Sequence, residues 1–79
     1  MKQEYLSSLL PGERARLKTI DGSEELCKRL RDLGWIPGTS ITCVSIAPSG
    51  TPRAFWVRGS VIAIRLDACN SIGIVRYRE

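Results

Sequence analysis

Leu30-Arg31-Asp32-Leu33-Gly34-Trp35-Ile36-Pro37-Gly38-Thr39 compresses a helix end, a stop signal and a strand start into one short stretch. Leu26, Leu30 and Leu33 recur at helical spacing and predict one apolar face. Gly34 follows the last periodic residue, where a helix commonly closes in a left-handed conformation that glycine adopts without steric cost. Pro37 forbids continuation of the helix, and Pro37-Gly38 suits the centre of a type II turn. Trp35 and Ile36 sit between the two stop signals as an apolar plug. The expectation is a docked helix followed by a tight reversal into a strand.

Upstream, Asp21-Gly22-Ser23 is a turn signal with Ser23 as helix N-cap. Glu24 and Glu25 in the first turn, and Lys28, Arg29 and Arg31 later, suit the helix dipole. The helix is therefore expected from Glu24 to Leu33, with Leu26, Cys27, Leu30 and Leu33 as its apolar face. Before it, Glu13 to Ile20 alternates, with Ala15 and Leu17 on one side and Arg14, Arg16 and Lys18 on the other, as a half-buried strand does. Tyr5 to Leu10 reads as one helical turn with Leu6, Leu9 and Leu10 on a shared face, ended by Pro11-Gly12.

Downstream, Ser40 to Ile46 is a β-branched strand apolar on both faces, which predicts a central strand or a bulge near Cys43. Ala47 to Pro52 is a loop by composition. Ala54–Arg58 and Ser60–Leu66 are strands joined tightly at Arg58-Gly59-Ser60. Phe55 and Val57 share the inward face, and Trp56 the outward one. Ile62, Ile64 and Leu66 form the next inward row. Asp67 to Asn70 reads as a turn or single helical turn capped by Asp67. Ile72 to Tyr77 closes the chain, with Ile72 and Ile74 inward and Arg76 outward. Arg78 and Glu79 are expected to fray.

Many short strands, one helix and regular Gly or Pro turns predict a mainly β fold with one helix. The expected form is a small, partly open SH3-like β-barrel of five to six strands. At 79 residues, one domain spanning residues 1–79 is expected. A domain of this size buries only about 60% of its unfolded surface. Little apolar area is therefore spare for an enclosed catalytic cavity.

The net charge is +4, with a pI near 9.3. That permits attraction to nucleic acid, anionic lipid or an acidic protein surface. Eight acidic residues are interspersed and no long basic run exists. The absence of histidine removes Ser-His and Cys-His couples and imidazole ligands. No P-loop motif is present. Cys27, Cys43 and Cys69 are widely spaced, odd in number and each among apolar residues. They read as small buried hydrophobes in a reducing compartment. A three-thiol metal site and an acidic site at Asp21, Glu24 and Glu25 are sharper readings, but capping and the helix dipole already account for the acids. The longest apolar stretch, Val61 to Ile64, is far short of the 18 or so residues of a spanning helix, so a soluble protein without a leader is expected.

The order of motifs resembles the FeoA family. Leu9-Leu10-Pro11-Gly12-Glu13 comes first, followed by Ile20-Asp21-Gly22 and Leu30-x-x-Leu33-Gly34-x-x-Pro37-Gly38-Thr39. Ala47-Pro48, Pro52, Val57-Arg58-Gly59, Ile62-Ala63-Ile64-Arg65, Asp67-Ala68 and Ile72-x-Ile74 complete the series. The similarity spans about Leu9 to Val75. It implies an SH3-like fold and a non-catalytic, cytosolic accessory role in bacterial ferrous-iron uptake. The implied partner is the membrane transporter FeoB, which carries a cytosolic GTP-binding domain. The same fold occurs as a domain of metal-dependent repressors of the diphtheria-toxin repressor type. Trp35 and Trp56 depart from the family pattern.

On this reading no cofactor and no membrane insertion are expected. Leu33, Trp35, Ile36 and Trp56 would be apolar anchors on FeoB, with Lys28, Arg31, Arg53 and Arg58 steering toward an acidic surface. The alternatives are a small nucleic-acid binder using Arg14, Arg16, Lys18 and Trp56, although no nucleic-acid partner is expected, and an iron-sensing domain. An outward Trp56 could equally seal a homo-oligomer.

Overall fold

The computed structural model describes residues 3–77, so the expected fraying at Arg78 and Glu79 lies outside the described residues. Six strands form one antiparallel sheet: β1 (Glu4–Tyr5), β2 (Arg14–Ile20), β3 (Ser40–Ile46), β4 (Arg53–Val57), β5 (Ser60–Ile64) and β6 (Ile72–Arg76). Their order across the sheet is β1-β6-β2-β3-β4-β5, so the sheet is open, with β1 and β5 at its edges. Helix α1 (Glu24–Asp32) connects β2 to β3, and a one-turn helix α2 (Leu66–Cys69) connects β5 to β6.

Helix α1 forms and stops for the reasons its sequence suggests. The Ser23 side chain accepts the backbone N–H of Leu26 at 3.1 Å. At the other end, the N–H of Trp35 reaches the carbonyl of Leu30 and the N–H of Gly34 reaches that of Arg31, both at 3.0 Å. This pair of bonds, with Gly34 at φ +91°, is a Schellman closure. Its usual apolar contact joins the residue after the glycine to the last buried turn, here Trp35 and Leu30, both in the core. The expected reversal follows, with Gly38 at φ +93° and the Thr39 N–H bonded to the Ile36 carbonyl at 3.0 Å.

The core lies on the inner face of the sheet, under α1. Alternation along the strands delivers Ala15, Leu17, Ile41, Cys43, Phe55, Val57, Ile64, Ile72 and Ile74 to it. Trp35 meets Phe55 edge to face, with ring centroids 6.4 Å apart. The bulge expected near Cys43 is present: the β3–β4 register shifts between Cys43 and Ser45, and Val44 is exposed there.

Several local expectations change. Residues Leu6–Ser8 form a 3-10 turn, preceded by the short strand β1 that periodicity could not show. Leu6 and Leu9 are buried, but Leu10 is exposed because the chain leaves the turn in an extended conformation at Leu9. The N-cap of α2 is Arg65, and Asp67 lies inside its first turn. Leu33 is the C-cap of α1 and is exposed, not part of its packed face, since the helix ends at Asp32.

Arg76 was expected to point outward. It pairs across the sheet with buried Ala15 and turns over the barrel rim, where two carboxylates meet it. Its Nε lies 2.7 Å from Glu4 Oε1, and its Nη1 3.2 Å from Glu13 Oε1. Arg76 thereby ties β1 and the start of β2 to β6. Glu13 also accepts the N–H of Leu10 at 2.7 Å. That backbone N–H, and then the guanidinium, hold the Glu13 carboxyl below its ordinary value of 4.5. A carboxyl with a depressed folded value contributes stability above the ordinary value and loses it as pH falls through the folded one. Glu13→Gln is therefore expected to lower the melting temperature at neutral pH. The gap to the native sequence should close as pH drops below about 4.5, in a series of thermal melts.

Candidate functional site

A largely apolar surface feature lies between α1 and the β4–β5 hairpin. It is an open groove of about 660 Å³. Its apolar lining comes from Leu33, Trp35, Val57, Val61 and Ile62, and its rim from Glu25, Lys28, Arg29 and Asp32. Charged residues of α1 and the apolar residues of β5 stand on opposite sides of the groove. The groove exists because strand order leaves β5 at the edge, with no further strand to cover its flank. Val61 and Leu33 are 57% and 47% exposed, which leaves substantial apolar area at the mouth for a partner to cover.

The expected anchors separate onto different surfaces. Leu33 and Lys28 line the groove. Trp35 is 2% exposed and belongs to the core, so it supports the groove floor from beneath instead of anchoring a partner. Ile36 is exposed on the other flank of α1, beside Arg31, Ile20 and Cys27. Trp56 is 48% exposed on the outer face, directly across from Val61 on β5 and Thr42 on β3. Val61 therefore joins the groove mouth to the Trp56 surface.

Arg58 sits at the tip of the β4–β5 hairpin, with its side chain laid against Gly34. A Cβ placed on Gly34 would come within 2.5 Å of Arg58 Cδ. The hairpin tip is thereby packed on the end of α1. Arg53 lies away from the groove. Half-buried at the far end of β4, it donates to the carbonyls of Gly50 and Ser7 and holds the N-terminal turn in place. The groove residues missed from sequence are Val57, Val61 and Ile62. They read as ordinary strand apolars, because a strand's position at a sheet edge is set by long-range pairing.

The basic strand face is present on the outer side of β2, where Arg14 and Arg16 lie over the Tyr77 ring at 4.5 Å and 4.9 Å. A hydrogen bond with Ser40, followed by the Arg16 and Arg14 charges, draws the Tyr77 hydroxyl below its usual value. Two of the three basic side chains are thus engaged with an aromatic ring of the same molecule.

The thiols are free. Burial pushes Cys69 up to about 11 and raises Cys43 as well. The half-buried Cys27 Sγ lies 3.5 Å from the Ile20 carbonyl. Among the described residues, no three Cys, Asp or Glu side chains converge as a metal cage would require. No helix among them is long and apolar enough to cross a membrane.

Among curated proteins, none matches this sequence. Solved structures do. FeoA from Chlorobium tepidum superposes with a TM-score of 0.91 at 25% identity, over 95% of this chain and 71% of that one. Iron(II) transport protein A from Clostridium thermocellum is 33% identical over 92% of this chain and 45% of that one, with a TM-score of 0.85. The zinc complex of FeoA from Stenotrophomonas maltophilia, described as a prokaryotic SH3-domain protein, shares the fold at 23% identity. Its TM-score is 0.79, over 90% of this chain and 88% of that one. IdeR of T. acidophilum contains a similar unit, with a TM-score of 0.82 at 26% identity, over 98% of this chain and 35% of that one. The family model described as the FeoA domain matches residues 5–76. With an open six-stranded SH3-like fold and that match over nearly its whole length, the chain belongs to the FeoA family.

Proposed function

We propose that this chain is a non-catalytic, cytosolic accessory protein of ferrous-iron uptake. It docks on the cytosolic part of the FeoB-type transporter through the groove between α1 and β5. The observation that carries this reading is an exposed apolar groove with charged rims, on a member of a family tied to iron transport. An exposed patch of this kind is characteristic of interaction surfaces. Leu33, Val61 and Ile62 would be covered by the partner. Lys28, Arg29 and Arg58 favour an acidic surface and speed the encounter.

The experiment is a pull-down from detergent-solubilised membranes, with and without a GTP analogue, followed by a titration of the transporter's purified cytosolic part. Leu33→Gln is expected to keep the melting temperature, because Leu33 is an exposed cap residue. Loss of a buried apolar anchor costs about 1–2 kcal/mol, so affinity should fall about five- to thirtyfold. Equal capture of the native chain and this variant would remove the groove as the docking site. Capture of no transporter by the native chain would remove the reading.

A further inference from the structure

β5 is an edge strand without the protection such strands usually carry. It pairs with β4 on one side and, among the described residues, with no strand on the other. Natural edges are blunted by charges, proline, bulges or very short length. Ser60-Val61-Ile62-Ala63-Ile64 contains no charge and no proline, and its register with β4 is unbroken over five pairs. The opposite edge, β1, is only two residues long.

The hairpin fixes which backbone groups are free. Arg58 and Gly59 form a two-residue loop, with φ of 49° and 85°. In such a loop the closing pair, here Val57 and Ser60, is hydrogen-bonded, and bonding alternates from there. Ser60, Ile62 and Ile64 therefore direct their N–H and C=O groups to β4. Val61 and Ala63 direct theirs away from the sheet. Two donors and two acceptors stand in a row beside the groove.

Side chains on either side of that row are apolar. On the inner face a laid-on strand would meet Ile62, Val57 and Leu33 of the groove. On the outer face it would meet Val61 and Trp56, both about half exposed. The surrounding charges are unequal: Lys28, Arg29, Arg58 and Arg65 against Glu25, Asp32 and Asp67. None of these four cations is in an ion pair among the described residues, where the ion pairs are those of Arg76.

We infer that β5 takes up an extended, acidic segment of the partner protein as an added strand. The segment pairs with the backbone of Val61 and Ala63 and places alternate apolar side chains in the α1–β5 groove. A second copy of this chain is the poorer occupant. A two-fold contact sets the same patch against itself, so the cationic rim would face its own image.

This inference rests on the docking reading, and the test separates the two. The probe is the purified cytosolic part of the transporter. Ala63→Pro deletes an outward N–H at an edge position where proline is tolerated, so the fold should persist. Its affinity is expected to drop at least tenfold. In the native complex, exchange of the Val61 and Ala63 amides should slow at least tenfold, a readout that needs no variant. If Ala63→Pro binds as the native chain does and both amides exchange unchanged while Leu33→Gln still weakens binding, docking stands and strand addition is overturned. If the native chain does not bind at all, both readings fall together. Protection of the same two amides by concentration alone, with a dimer in solution, would name a second copy as the occupant and overturn the acidic segment.

Discussion

Trp35→Ala is expected to cost about 3–5 kcal/mol, the range for removing a large aromatic from a packed core. Small domains have a total stability of only about 5–15 kcal/mol. Trp35 is 2% exposed, packs edge to face on Phe55, and makes the apolar contact that closes α1 on Leu30. The substitution would remove core volume, the aromatic pair and the helix closure contact together. At about 4–8 °C per kcal/mol for a domain of this length, the thermal midpoint should fall by at least about 12 °C, or the chain should be unfolded at ambient temperature. Trp35→Phe keeps the ring and should lose much less. A midpoint within a few degrees of the native one for the alanine variant would show that Trp35 is a surface plug and that α1 is not held through it.

Gly34→Val combines two costs at one atom. The backbone there is at φ +91°, a region L-residues avoid at about 1–2 kcal/mol, and more for a β-branched side chain. The added Cβ would also stand 2.5 Å from Arg58 Cδ and 2.8 Å from its Nε, so the arginine must leave. The expected destabilisation is about 2–3 kcal/mol, read as a lower denaturant midpoint with unchanged slope. The contact term can be isolated with alanine. Gly38 has nearly the same φ, but nothing lies within 4 Å of its Cβ position. Gly34→Ala should therefore exceed Gly38→Ala, and the excess should disappear in an Arg58→Ala background. Equal effects of the two alanine substitutions would mean that the Arg58 side chain does not rest on the end of α1.

Local signals carried much of this fold. The Ser23 cap, the Gly34 closure and the Pro37-Gly38 turn are each decided within a few residues, and all three are present. Alternation placed Ala15, Leu17, Phe55 and Val57 inward and Trp56 outward, because a two-residue period leaves no other choice once one face is buried. What local patterns could not show was long-range order. The strand sequence β1-β6-β2-β3-β4-β5 depends on pairings between distant segments, and it alone makes β5 an edge.

The same gap explains the candidate site. Leu33 lines the groove because α1 ends at Asp32, one residue short of the expected helix, which leaves it an exposed cap beside the Lys28 flank. An apolar residue after a helix-closing glycine can turn either way, and at Trp35 the closure draws it inward, away from a partner. Arg53 and Arg58 flank one strand and look alike in sequence. One is spent on the Ser7 and Gly50 carbonyls, the other is laid over Gly34, and only the packed ends of β4 tell them apart.

The most direct test of the central claim is an amide chemical-shift map of the isotopically labelled chain, titrated with the purified cytosolic part of the transporter. Docking through the groove predicts shifts confined to the second half of α1, Leu33 and residues 60–64, weakening as salt is raised. Shifts concentrated on Arg14, Arg16, Lys18 and Tyr77, with the groove silent, would contradict it.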